Sequence, residues 1–187
     1  MIEFAILGLL SWRPLAGYDL KKIISASELF YWSGNNNQIY RALIQLHKDG
    51  AVTQAVQNQE SLPAKKIYTI TASGHAKLRE GILARPELPE IQHHFLIQLA
   101  WADELSPAEL DALLVQYEKE VEARLAMQQE TARRKVLAPN RSPRETYLWE
   151  EISNNLIATV QNELDWVRRV RKTLNEKEKT EWPLRLN

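Results

Sequence analysis

The chain has 187 residues, 44% of them hydrophobic and 26% charged, and its 24 basic side chains balance 24 acidic ones. It carries no cysteine and only six glycines, which excludes a disulfide framework, a thiolate metal site and a cysteine nucleophile and disfavours glycine-dependent all-β and nucleotide-cradling α/β designs. Its length suits one large domain or two small ones, and the charge is split between halves: ten Lys/Arg against six Asp/Glu in residues 1–85, fourteen against eighteen in 86–187, a pattern that points the first half toward an anionic partner.

The opening MIEFAILGLLSW places apolar residues at 2, 6, 9 and 10, a helical spacing, with a second apolar face at 4 and 7. It is short, carries Glu3 and lacks a basic leader, so it does not read as a signal peptide. No run in the chain reaches the ~18 apolar residues of a membrane span, and no membrane partner is expected. Arg13-Pro14 ends the first helix. GYDLKKIISA, residues 17–26, predicts a second helix with Leu20, Ile23 and Ile24 inward. A connector over 27–34 holds Phe30-Tyr31-Trp32. Residues 35–49 predict a third helix with Ile39, Leu43 and Leu46 inward and Gly50 where a C-terminal glycine belongs.

The start of that third helix is unusual. Asn35, Asn36, Asn37 and Gln38 stand together, although amides compete for the backbone and one would be enough for a cap. Followed by Tyr40 and Arg41, they form a surface suited to a polar partner. Two strand-like runs come next, Val52–Gln57 and residues 65–71, joined by the polar tip NQESLPA at 58–64. Thr71 and Ser73 then lead into a fourth helix ending near Leu83.

Arg85-Pro86-Glu87-Leu88-Pro89 breaks the periodicity and divides the chain into expected domains 1–85 and 86–187. Beyond it, residues 90–103 predict one amphipathic helix. Ser106-Pro107-Ala108-Glu109 is a capping box with proline at the first helical position; it starts a long helix with apolar residues at 110, 114, 117, 121 and 125. Ser142-Pro143-Arg144-Glu145 repeats the device before a helix carrying Ile152, Leu156, Val160, Leu164, Val167 and Leu174. Each helix is about 30 residues, or ~45 Å long. An antiparallel pair of such helices cannot bury its stripes all round, so a second copy of the chain is the natural completion. Ile152, Leu156, Val160, Leu164 and Val167 are the expected dimerisation residues. The predicted class is mainly α with a small β hairpin: a winged helix-turn-helix domain followed by long antiparallel dimerisation helices.

Three short helices and a hairpin form a winged helix, whose third helix enters the DNA major groove with its N-terminal residues at base edges. Asn36, Asn37 and Gln38 lie at that end, and their amides donate and accept together, which suits adenine. Tyr40 and Arg41 would reach bases or phosphates, Tyr18 and Lys21 phosphates, and Lys65 and Lys66 on the wing the backbone or minor groove. Each has a structural reading too: the amides as a turn and cap, Tyr40 as packing against the hairpin, the lysines as a solvated surface. Trp101, Trp149 and Trp166 fit a core or an interface, and Trp101 with Trp149 form the candidate effector pocket. His93 and His94 are adjacent and point apart on a helix, Ser25, Ser27 and Ser33 lack His/Asp partners, and no carboxylates pair. No catalytic residue, metal or cofactor is expected, and the chain does not read as an enzyme.

ILGLLSWRPLAGYDLKKII at 6–24, QIYRALIQLHKDGAV at 38–52 and KKIYTITASGHAKL at 65–78 together resemble the opening, recognition helix and wing of the PadR family of bacterial transcriptional regulators. HFLIQLAWADELSPAELDALL at 94–114 and the long final helix resemble its dimerisation region. The resemblance implies a cytoplasmic, homodimeric winged-helix factor, usually a repressor, on a pseudo-palindromic double-stranded operator; some members respond to phenolic acids or drug-like aromatics. It assigns the family's DNA-facing tyrosine to Tyr40, its Gly-Tyr pair to Gly17 and Tyr18, and its basic wing to Lys65 and Lys66. Two positions depart from the pattern. Arg41 stands where the family usually has proline, and the wing tip reads Ser61-Leu62-Pro63-Ala64 where arginine is common. The competing function is a protein-interaction adaptor built on the same winged helix and long helices.

Overall fold

A computed structural model describes residues 2–27, 37–57, 65–88, 93–134, 139 and 141–180. The chain divides into two compact units, Met1–Leu88 and Pro89–Asn187.

In the first unit the apolar spacing produces α1 (Ile2–Leu10), α2 (Gly17–Ala26), α3 (Asn37–Lys48) and α4 (Ala72–Leu83). Ile6 and Leu10 of α1, Leu20 and Ile24 of α2, and Ile39, Leu43 and Leu46 of α3 are all essentially inaccessible to solvent. Each such side chain contributes roughly 1.5–3 kcal/mol relative to an exposed one, and together they make the three helices one body. Strands β2 (Val52–Gln57) and β3 (Lys65–Ile70) form the expected hairpin, in register from Val52 opposite Ile70 to Gln57 opposite Lys65. A third strand, β1 (Leu15–Ala16), was not foreseen. It pairs antiparallel with β3, Leu15 opposite Tyr68 and Ala16 opposite Ile67, giving the order β1-β3-β2. Two residues carry no readable alternation, and both side chains are buried.

The second unit contains α5 (His94–Ala100), a single 3-10 turn over Ala102–Glu104, α6 (Pro107–Arg133) and α7 (Pro143–Thr180). The single helix expected over 90–103 is therefore shorter among the described residues. It stops at Trp101, whose backbone lies at φ −109°, ψ 10° and whose N–H turns back to the Gln98 carbonyl; residues 90–92 lie outside the described part. Ser106 caps α6 with a complete box: its hydroxyl accepts from the Glu109 N–H, and the Glu109 carboxylate accepts from the Ser106 N–H. At α7 the device is modified. Ser142 Oγ accepts from the Glu145 N–H, but the Glu145 carboxylate reaches back to the N–H of Arg141.

Helices α6 and α7 pack antiparallel around Leu114, Val121, Leu125, Val160, Leu164 and Val167, with Leu110, Ile157 and Leu174 half-covered at the flanks. A ladder of charges runs beside this seam. Arg171 binds Asp111 at 2.7 Å and Glu118 at 3.3 Å, and Arg168 binds Glu118 at 2.8 Å and also Glu122. Asn175 donates to Asp111 at 3.2 Å. Since Asp111 sits one turn into α6 and Asn175 near the end of α7, the two helices are flush there. α7 has 38 residues against 27 for α6, so its excess length projects past the other end of α6. No helix among the described residues is long and apolar enough to cross a membrane.

The charge ladder gives the helical unit an acid-sensitive component. Hydrogen bonds from Arg171 and then Asn175 hold the Asp111 carboxyl below its ordinary value, and hydrogen bonds led by Arg168 do the same for Glu118. Depressed carboxylates contribute stability that is present above their unfolded pKa and lost as pH falls through the folded one. Thermal unfolding of the full chain followed by circular dichroism should show a Tm that is flat near neutrality and falls below pH ~4. Arg171→Gln should lower the neutral Tm and flatten that acid decline; an unchanged acid slope would remove the ladder from the stability of the pair.

Candidate nucleic-acid interface

Helix α3 is split lengthwise. Its inner face buries Ile39, Ala42, Leu43 and Leu46, while Asn37, Gln38, Arg41, Ile44 and Lys48 are exposed on the other side. The amides therefore sit at the N-terminal end of the helix, with Arg41 one turn further along. Gln45, one position beyond Ile44, gives its amide to Asp49 at 2.7 Å. Tyr40 is 40% exposed, so it is neither wholly packed nor wholly free. Asn36 and the wing tip at 58–64 lie outside the described residues. Ile44, an apolar residue off the buried stripe, was not singled out by sequence reasoning; the signal was its position outside the 39-43-46 spacing.

On α2, Tyr18 is exposed and Lys21 half-buried, three residues apart on the same side. Lys65 and Lys66 are exposed at the start of β3, opposite Gln57 and Val56. Exposed cations thus occur on the wing as well as on α3.

A knot of backbone and hydroxyl bonds fastens the C-terminal end of α3 to the wing. Gly50 takes φ +69°, a left-handed conformation that glycine adopts at little cost. The Gly50 N–H then donates to the His47 carbonyl and the Ala51 N–H to that of Leu46. Thr71, at the end of β3, donates its hydroxyl to the Gly50 carbonyl at 2.7 Å and accepts from the Gly74 N–H at 3.1 Å, and its own N–H donates to the Ala51 carbonyl at 3.0 Å. One threonine therefore caps α4, ties down β3 and satisfies the turn that ends α3.

The predicted residues of the helical unit are distributed differently from expectation. Val160, Leu164 and Val167 are buried against α6 of their own chain, whereas Ile152 and Leu156 are only half-covered. The first part of the α7 stripe is thus the part left accessible in the single chain, together with the exposed Tyr147 and Leu148. Trp101 is 75% exposed at the end of α5 and Trp149 half-buried on α7, so Trp101 does not line an enclosed pocket in the single chain. Trp166 instead meets Phe95 edge-on, and Phe95 stacks on Tyr117 at 3.6 Å. The Tyr117 hydroxyl donates to Glu163 at 2.8 Å, and burial, then this bond, pushes its phenol well up. His93 also faces Glu163, at 3.3 Å. Among the described residues no cluster of His, Asp and Glu gathers to hold a metal.

Comparison with known proteins follows this two-part plan. Residues 6–80 match the model of the transcriptional regulator PadR-like family, and residues 91–175 match the virulence activator alpha C-terminal model. The chain is 29% identical over 127 residues to the negative transcriptional regulator PadR of Bacillus subtilis, covering 67% of this chain and 70% of that one. Its fold is similar to that of Bacillus subtilis PadR in complex with operator DNA, with TM-score 0.79, 26% identity and coverage of 92% and 98% of the two chains. It is similar also to the same regulator in complex with p-coumaric acid, with TM-score 0.73, 24% identity and coverage of 93% and 98%.

The knot at Thr71 predicts how the wing depends on α4. A Cβ on Gly74 would lie 2.1 Å from the Ala51 carbonyl oxygen and 2.7 Å from Ile70. The first obstacle is backbone and cannot swing aside. Gly74→Ala should therefore cost at least about 2 kcal/mol, read as a lower urea midpoint for the first unit; a wild-type midpoint would mean that α4 is not seated as described.

Proposed function

We propose that this chain, which belongs to the PadR-like family of transcriptional regulators, is a cytoplasmic, homodimeric repressor that binds a pseudo-palindromic duplex operator and is released by a small aromatic acid. The observation that carries the reading is the polar outer face of α3, with Asn37, Gln38 and Arg41 exposed on a helix whose opposite face is buried. In the major groove the Gln38 amide suits an adenine edge, Ile44 a thymine methyl, and Arg41 a guanine edge or a phosphate. Asn36 and Asn37 belong to the same reading end. Tyr40 adds a phenol beside them, Tyr18 and Lys21 approach the backbone from α2, and Lys65 and Lys66 follow it from the wing. No chemistry is asked of these groups, in keeping with a family of regulators rather than enzymes.

Dimerisation through the helical unit is supported by the half-covered Ile152 and Leu156 and by the length of α7 beyond α6. Val160, Leu164 and Val167 act in it indirectly, by holding α7 against α6. The two α3 helices would then meet successive major grooves about 34 Å apart. The p-coumaric acid complex of the Bacillus relative supports an aromatic-acid effector. Trp101 and Trp149 are its candidate contacts, and at the exposed Trp101 a second surface from the dimer would have to complete the enclosure.

Binding of the purified chain to a fluorescent duplex taken from immediately upstream of its own gene tests the proposal, against scrambled DNA at two salt concentrations. A preference of ~10³ or more with a steep salt dependence is expected. Lys65→Ala should weaken all duplexes alike and reduce the salt slope by about 1, whereas Gln38→Ala should cost about 1–3 kcal/mol on the operator alone. Equal affinity for operator and scrambled DNA at both salts would turn the reading toward a protein partner.

A further inference from the structure

Gly17 opens α2, but its backbone does not need a glycine. Gly50 is the glycine with positive φ among the described residues, and an ordinary helical position favours alanine over glycine. What Gly17 supplies is space. A Cβ built there would lie 3.5 Å from Leu43 Cδ1 and 3.6 Å from Tyr68 Cε2, which is ordinary contact, but 3.1 Å from Tyr40 Cε1, tight enough that the ring would have to give by a few tenths of an ångström. Of the three neighbours, Tyr40 alone would have to move.

Tyr40 belongs to α3, and its ring lies over the start of α2, with Tyr68 of β3 packed close by. Tyr68 is 5% exposed, so its position is fixed by the core, while Tyr40 is 40% exposed and turns its remaining surface outward. Burial, and then the proximity of Tyr40, raise the Tyr68 phenol, consistent with two rings held close together. The ring of Tyr40 is thus held on the side toward α2 and Tyr68, and its direction follows from that support.

We propose that Gly17 is a positioning residue for DNA recognition: its missing side chain lets the Tyr40 ring rest against the start of α2, which aims the phenol at the DNA alongside Asn37, Gln38 and Arg41. The inference rests on the operator-binding reading above. It separates two roles for adjacent residues, since Tyr18 faces outward and Gly17 acts through a residue 23 positions later.

The test is Gly17→Ala in the full chain, measured for Tm and for operator affinity, alone and combined with Tyr40→Ala. Gly17→Ala should keep or raise the Tm, because alanine is the better helix former, yet lose about tenfold in operator affinity, the scale of one lost hydrogen bond to a charged group. In the Tyr40→Ala background the same substitution should cost nothing further. Should Gly17→Ala lower the Tm, removing the ring in the double variant should restore it. Wild-type affinity in Gly17→Ala overturns the positioning role and leaves operator binding standing. Equal losses with and without the Tyr40 ring also overturn it, since Gly17 would then act by another route. A wild-type chain with no preference for operator over scrambled DNA overturns the operator reading and this inference with it.

Discussion

Thr71 is the joint on which the first unit depends. Its hydroxyl donates in one direction and accepts in the other, and its N–H is engaged as well. Backbone polar groups at the end of α3, the start of β2 and the start of α4 converge within a few residues. Ala51 and Gly74 are buried there, and their backbone groups left unpaired would each cost about 1–3 kcal/mol. The left-handed Gly50 bends the chain into range, and Gly74 lets α4 come down on the Ala51 carbonyl. The end of α3 and the wing strands are fastened to one another by these contacts, in addition to the apolar packing along the inner face of α3.

The helical unit is held by different physics. Its apolar seam gives α6 and α7 their contact, and the flanking arginines and carboxylates fix which turn faces which. Exposed ion pairs of this kind are individually worth little. Shared partners change that: Glu118 serves both Arg168 and Arg171, and Asp111 serves both Arg171 and Asn175. A slip of one helix past the other by a turn would break all of these at once, so the ladder acts on register more than on strength.

Much of this was legible in the sequence because it is local. The 39-43-46 stripe, the glycine at 50 and the Ser106 capping box are each set by residues within one or two turns, and each is present as read. Asn37 and Gln38 are exposed at the start of α3, Asn36 lying outside the described residues. What escaped is long-range. Strand β1 exists through β3, fifty residues away, and two residues cannot signal alternation. The break at Trp101 interrupts a run that stays amphipathic on paper. The α7 stripe read as a single dimer surface because spacing cannot say which partner covers which part of a helix. The same limit applies to Gly17, which the family resemblance marks but whose approach to the ring of Tyr40 no neighbour along the chain signals.

The fastening at Thr71 is at one end of α3 and the exposed amides of Asn37 and Gln38 are at the other. Twelve residues at 1.5 Å make α3 ~18 Å long. Its inner face is buried along the whole of that length, Ile39 in the first turn as fully as Leu46 in the last. A rotation of roughly 5° about the C-terminal end would move the first turn by about 1.6 Å and carry the buried Ile39 with it, so the core opposes it. Thr71 and the core thus hold opposite ends of one short rod, and a duplex meeting its first turn, as proposed, would meet a surface that cannot swing to suit it.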